Sequence, residues 1–214
     1  MTASLATIRA AVREDLRDST SADWSDDQID RGVALAVAEY GRFVPLEKTA
    51  TASVTGRAVD LSTALGTDYG QLVSVELAEY PIDQWPREAT LFDKWGSQLT
   101  LHVDSELASE DVRIWYLVAH TLTSEASTIP DGDADLVALG GAGYALSQLG
   151  AGDVQVIPLH GDAPNTLDKL GYYRLSAFRE GCERLARRRR GMRVSSLYRA
   201  AEDRPYSRFK VQPP

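Results

Sequence analysis

The sequence predicts an α+β protein: a helical bundle of about four helices that carries an inserted antiparallel β-sheet or small sandwich and ends in an extended C-terminal arm. Apolar residues recur at helical spacing near both ends of the 214-residue chain, and at strand spacing between them. The last segment shows neither period. We therefore predict a bundle from residues 1–45 and 121–193, a β insertion over 46–120 and an arm over 194–214.

The first two predicted helices form a hairpin. Leu5, Ile8, Val12 and Leu16 recur at helical spacing after Ser4, which predicts an amphipathic helix of about three turns. A capping box in Ser25-Asp26-Asp27-Gln28 predicts the start of the second helix. Its apolar stripe consists of Ile29, Val33, Val37 and Tyr40. This helix must end at or before Val44, because the residue preceding a proline disfavours helical backbone.

The middle of the chain reads as short strands separated by turns. Glycine, proline and aspartate clusters divide it into segments rich in β-branched and aromatic residues. The predicted strands are Thr49 to Val54, Ala58 to Leu61, Gln71 to Glu79, Gln98 to Val103 and Val112 to His120.

A central helix is predicted from Ala134 to Leu149. Pro130 and the aspartates that follow it mark its start, since carboxylates favour the N-terminus of a helix. Its residues are apolar on nearly every face, so other parts of the protein should surround it. The run is too short and too rich in glycine to cross a bilayer. We expect Gly140, Gly141 and Gly143 to let a neighbouring helix approach closely.

The last predicted helix begins near Asn165 or Thr166 and reaches Arg190, a length of about 39 Å at 1.5 Å per residue. One face of it is apolar and consists of Leu167, Leu170, Leu175, Phe178, Cys182 and Leu185. The helix ends in four consecutive arginines, Arg187 to Arg190.

Charge is distributed unevenly along the chain, although the net charge is only −8. Residues 169–214 contain 13 basic and 4 acidic residues, a net charge of +9. Residues 1–168 contain 10 basic and 27 acidic residues, a net charge of −17. An asymmetry of this size usually concerns a partner rather than the fold.

The sequence predicts no catalytic, cofactor-binding or metal-binding residue. The aspartates from Asp131 to Asp135 superficially open a calcium loop, but Leu136 and Ala142 occupy the positions of the required glycine and glutamate. His120 lacks the sequence context of a catalytic base, so we expect a hydrogen-bonded structural histidine. The single cysteine, Cys182, excludes an internal disulfide framework.

The sequence allows three interpretations of the arginine cluster. It could dock onto another protein, contact nucleic acid, or form a solvated helix end that favours the helix dipole. The residues show no helix-turn-helix, zinc-finger or RNA-binding signature, and the acidic body would repel a duplex laid along it. A DNA-binding accessory protein that uses Arg187 to Arg190 is the alternative function.

Three segments carry a resemblance to a known family: LATIRAAVREDLRD, ADWSDDQIDRGVALAVAEYGRFVP and VRIWYLVAHTLTSEASTIPDGDADLVALGGAGYAL. In this order they resemble the head-to-tail adaptor, or connector, proteins of tailed bacteriophages. The resemblance implies a non-enzymatic structural protein of the virion, in which a helical bundle carries a β insertion. It also implies a dodecameric ring of identical copies beneath the portal, around a channel through which DNA passes without specific recognition.

The same resemblance implies which partners the chain meets. The C-terminal helix and arm would dock onto the portal protein, and the insertion would face the downstream neck or tail protein. We expect the protein at the neck of the virion, and in the host cytoplasm during assembly, without a cofactor or a membrane. The residues predicted to bind the portal are Arg187, Arg188, Arg189, Arg190, Arg193, Tyr198, Arg199, Arg204, Tyr206, Arg208, Phe209 and Lys210.

Overall fold

A computed structural model describes residues 3–18, 23–66, 69–77, 90–103, 111–152 and 163–202. The fold is α+β, as predicted. The chain divides into two compact units, one formed by Met1–Leu46 with Val118–Ala186 and the other by Glu47–Leu117 with Arg187–Pro214.

The described residues form five α-helices, one short 3-10 helix and six strands. The helices are α1 (Leu5–Leu16), α2 (Asp26–Phe43), α3 (Leu61–Leu65), α4 (Ala134–Gly152) and α5 (Ala163–Glu202), with the 3-10 turn at Asp131–Asp133. The strands are β1 (Leu46–Ser53), β2 (Ala58–Asp60), β3 (Tyr69–Leu77), β4 (Phe92–Trp95), β5 (Gln98–Leu101) and β6 (Asp111–Val118). None of the helices in these ranges has the length and apolar character needed to span a membrane.

Both predicted helix starts in the N-terminal hairpin are confirmed. The Ser4 side chain caps α1 by accepting a hydrogen bond from the backbone N–H of Thr7 at 3.2 Å. At α2 the Ser25 hydroxyl accepts from the Gln28 N–H at 3.2 Å, and the Gln28 side chain accepts from the Ser25 N–H at 2.9 Å. Helix α2 ends at Phe43, within the limit that the following proline sets.

Helix α4 is enclosed by protein, as predicted. Every residue from Leu136 to Gln148 is buried or partly buried, and Val137, Ala142 and Ala145 are fully buried. The core of this unit also contains Ile8 of α1. Further members of that core come from α1, α2 and α5: Val12, Ile29, Val33, Ala36, Tyr40, Phe178 and Cys182.

The second unit contains two three-stranded sheets, with the strand orders β1-β6-β3 and β2-β5-β4. Strand β5 pairs antiparallel with β2 on one side and with β4 on the other. A separate apolar core fills this unit, with Val59, Leu99, Val112 and Ile114 among its most buried residues.

Sequence patterns missed two elements of this unit, β4 and α3. Strand β4 has only four residues, FDKW, and charged residues occupy its centre, so its alternation is too weak to detect. Helix α3 is a single turn that Asp60 caps by accepting from the Ser62 N–H at 3.0 Å. The sequence predicts Leu61 as the end of the preceding strand, but it is the first residue of α3.

The prediction of an extended C-terminal arm is wrong for residues 194–202. Helix α5 continues to Glu202, so residues 194–202 are helical rather than extended. The segment VSSLYRAAE contains no glycine or proline, and its leucine, arginine, alanine and glutamate residues favour helix. The rest of the predicted arm, residues 203–214, lies outside the described residues.

Candidate interaction surface on the C-terminal helix

Glycines hold the first half of α5 against α4. A Cβ atom at Gly140 would lie 2.9 Å from Cδ2 of Phe178, and one at Gly143 would lie 2.9 Å from Cγ of Leu175. A Cβ atom on Gly181 of α5 would lie 2.5 Å from Cδ1 of Leu136. These distances are too short for a side chain, so the glycines permit the close helix packing that the sequence predicted.

Polar contacts tie α5 to the other two long helices of the unit. Arg174 forms an ion pair with Asp15 of α1 at 2.9 Å, and it also donates to the Asp15 backbone carbonyl at 2.8 Å. Arg179 donates through Nε to Oε1 of Glu39 on α2 at 2.7 Å. The hydroxyl of Tyr144 on α4 donates to the other oxygen of the same carboxylate.

These contacts stabilise the ionised form of Glu39. Burial alone would raise its pKa, but the hydrogen bonds from Arg179 and Tyr144 outweigh burial, and the pKa is lowered. The pKa of Tyr144 is raised by burial and by its bond to the Glu39 carboxylate. Three helices thus meet at one half-buried carboxylate, which fixes the position of α5.

The contacts between α4 and α5 follow an antiparallel register that ends near Ala186. Gly171 lies against Ser147, Leu175 against Gly143, Phe178 against Gly140 and Gly181 against Leu136. At this spacing, Ala186 falls opposite Asp131, where the helical segment that leads into α4 begins. Helix α5 continues for another 16 residues after Ala186, about 24 Å at 1.5 Å per residue.

The arginine cluster lies at the start of this extension. Arg187 and Arg188 are exposed, and Arg189 is partly buried. Arg190, Arg193, Tyr198 and Arg199 follow on the same helix. The structure therefore places all seven predicted docking residues that fall within its described range on one continuous helix. The other five, Arg204, Tyr206, Arg208, Phe209 and Lys210, lie outside the described residues.

The aspartates before α4 act as structural acceptors. Oδ1 of Asp131 accepts from the Ala3 N–H at 2.8 Å, and Oδ2 of Asp133 accepts from the Tyr40 hydroxyl at 2.5 Å. Among the described residues, no group of three or more histidine, cysteine, aspartate or glutamate side chains has a geometry that could hold a metal ion.

The contacts of His120 are those of a structural residue. It is 6% exposed, and its Nε2 lies 2.9 Å from the Val44 carbonyl oxygen. Its Nδ1 lies 3.0 Å from the carbonyl oxygen and 3.1 Å from the hydroxyl oxygen of Thr128. The ring thereby links the end of α2 to the segment that precedes α4.

Cys182 is fully buried in the helical core. Burial, together with the negative charges of Glu39 and Asp133, raises the pKa of its thiol to about 12. Because the thiolate is the nucleophilic form, this cysteine is chemically inert near neutral pH.

Sequence patterns missed two exposed aromatic features. Tyr172 and Tyr173 on α5 are each 68% exposed, and Trp95 at the β4–β5 turn is 81% exposed. The tyrosines could have been found, because both fall outside the apolar arc predicted for this helix. Trp95 could not, because the strand that presents it was not predicted.

The chain matches no known family model and no curated protein sequence.

Proposed function

We propose that the chain is a structural adaptor of a tailed-phage virion, which forms a ring beneath the portal and attaches to it through the C-terminal part of α5. The observation that carries this proposal is the length of α5. Helix α5 contributes residues up to Leu185 to the bundle and then continues as a basic helical segment of 16 residues after Ala186. A long basic segment of this kind is suited to contact another molecule.

Charge supports the choice of a protein partner. The cluster from Arg187 to Arg190 begins where the packing against α4 ends, and the rest of the chain is strongly acidic. Arginine forms bidentate bonds to carboxylates and is enriched at protein interfaces. An acidic groove on the portal would complement this part of α5.

The second unit supports the expectation that an adaptor contacts the portal and the downstream protein through different parts of its chain. Its core is separate from the core of the bundle, and exposed apolar residues lie on strand β4 or directly before it, notably Trp95 and Leu91. We assign the β-sheet part of this unit, Glu47–Leu117, to the contact with the downstream neck or tail protein. The mechanism is assembly, and no chemical step is involved.

The test is capture of the full chain by the purified portal protein of the same phage, followed by electron microscopy of the complex. Arg187→Glu with Arg188→Glu should abolish capture, whereas Arg31→Glu with Lys48→Glu should not. Both pairs change the net charge equally at exposed positions. Equal capture of the two variants would contradict the proposed docking segment.

The exposure of Arg187 and Arg188 on one helix also keeps a second candidate open, a DNA-binding accessory protein. Phosphate contacts by several arginines would give tight binding to duplex DNA that weakens steeply with salt. A salt titration of DNA binding separates the two functions. Tight, steeply salt-dependent binding without portal capture would replace the adaptor proposal with this one.

A further inference from the structure

The exposed side of α5 carries an apolar patch that the docking proposal does not use. Leu170, Tyr172 and Tyr173 are 43%, 68% and 68% exposed, and they lie within one helical turn. They are three of the seven large apolar side chains that are exposed in the described part of the chain. An aromatic cluster of this kind on a helix surface is typical of an interaction site.

Tyr173 of this patch belongs to a longer face that points away from the bundle. At 100° per residue, Tyr173, Glu180 and Arg184 lie within about 40° of one another, opposite the buried Phe178 and Cys182. Ser176 and Ala177, both exposed, lie between the tyrosine and the two charged residues. We call this strip, from Lys169 to Arg188, the outward face of α5.

Between Tyr173 and Arg184, the order of side chains along the outward face suits antiparallel pairing with a second copy of the same segment. Tyrosines stand at one end, small residues in the middle and arginines at the other end. If two copies pair about the midpoint between Phe178 and Arg179, Tyr173 of each lies opposite Arg184 of the other. An arginine over a tyrosine ring is attractive, and small residues at the crossing allow the helices to approach closely.

Arg184 is available for this contact. Its side chain is 66% exposed, and its ion pair with Glu180 is long, at 3.9 Å. A parallel pair of helices would instead place arginine against arginine and glutamate against glutamate, which is repulsive. The arrangement therefore favours the antiparallel order.

We infer that the outward face of α5 binds a second copy of this chain, as an antiparallel helix pair related by a two-fold axis. The inference does not depend on the proposed adaptor function, because it uses only residues from Lys169 to Arg188. A two-fold contact closes on itself, so it yields a dimer rather than a ring. The dimer would be a form of the protein outside the assembled ring.

The mass of the full chain in solution tests the pairing. Sedimentation velocity at rising concentration should show a species of twice the 23.4 kDa chain mass. Ala177→Glu should weaken dimerisation by at least about tenfold, since it places a carboxylate at the crossing point near Glu180 of the partner. Ala34→Glu, the same change at an exposed alanine of α2, should leave the dimer intact.

Circular dichroism of both variants verifies that they fold. The inference is overturned if the unmodified chain stays monomeric into the millimolar range, or if Ala177→Glu dimerises as well as Ala34→Glu. Assemblies larger than a dimer that Ala177→Glu does not reduce would also overturn it.

Disulfide trapping tests the antiparallel register. Lys169→Cys and Arg188→Cys proteins, mixed and oxidised, should form a mixed dimer, because these positions face each other across the proposed axis. The two changes remove positive charges that pairing would bring together, and the buried Cys182 should not react. Cross-linking of Lys169→Cys only with itself would show a parallel pair and refute the register.

Discussion

At the residue scale, one buried carboxylate links the end of α1 to the residues directly before α2. Asp18 is 3% exposed and forms an ion pair with Arg13 at 2.9 Å. The carboxylate also accepts from two backbone N–H groups, those of Trp24 at 3.1 Å and Asp23 at 3.4 Å. Nothing in the local sequence distinguishes Asp18 from its exposed acidic neighbours.

Asp18→Ala should therefore destabilise the bundle by about 3 kcal/mol, because it leaves a mostly buried arginine and a buried N–H group without this acceptor. Chemical denaturation monitored by tryptophan fluorescence measures the free energy of unfolding. Glu14→Ala, at an exposed position on α1, is the control and should change it by less than about 0.5 kcal/mol. Similar values for the two variants would show that the carboxylate of Asp18 is not needed.

At the element scale, the bundle depends on backbone contact between α2 and α4. A Cβ atom at Gly32 would lie 2.7 Å from the carbonyl oxygen of Gly141 and 3.2 Å from the backbone nitrogen of Ala145. A backbone carbonyl cannot move aside as a side chain can. The glycine pair therefore sets the distance between the two helices.

Gly32→Ala should destabilise the protein by about 2 kcal/mol, despite the higher helix propensity of alanine, because the added methyl group forces the helices apart. The matched control is Gly132→Ala, where nothing lies within 4 Å of the new Cβ atom. Thermal unfolding should show a lower transition temperature for the first variant only. A neutral Gly32→Ala variant would mean that the two helices can separate without cost.

The carboxylate shared by α2, α4 and α5 makes the bundle sensitive to acid. Since the folded-state pKa of Glu39 is lowered from its ordinary value of 4.5, its contribution to stability is complete above that pH. The contribution is lost as the pH falls through the folded-state pKa. We expect Glu39→Gln to be less stable than the unmodified protein at pH 7, and the difference to shrink below about pH 4.5. Thermal unfolding of both proteins at several pH values measures it, and a difference independent of pH would contradict this role.

At the scale of the whole molecule, charge is separated along the chain, and this separation should govern attachment to a partner. Residues 187–214 contain 9 basic and 2 acidic residues, a net charge of +7 in a chain whose net charge is −8. Screening by salt weakens attraction between exposed charges, with a Debye length of about 8 Å at physiological ionic strength.

Capture by the portal should therefore weaken between about 0.05 M and about 0.5 M salt. A chain truncated after Ala186 keeps Phe178, Cys182 and Leu185, so its bundle core should remain and only capture should be lost. The measurement is the captured fraction at each salt concentration, with circular dichroism of the truncated chain. Capture that salt does not change would point to an apolar interface instead.

The sequence by itself determined the local features. The capping residues and the limit at Pro45 specified α1 and α2, and the apolar composition of α4 specified its enclosed position. These features depend on residues within a few positions of one another, where helix and strand periods are direct physical signals.

Only the tertiary structure decided which distant residues meet. The contact of Gly32 with Gly141, the acceptor role of Asp18 and the strand order β2-β5-β4 all follow from packing between segments far apart in sequence. Local periodicity carries no information about such pairings. For the same reason, the sequence shows the arginine cluster but not where the packing between α5 and α4 ends. That position can be located only from the register between the two helices.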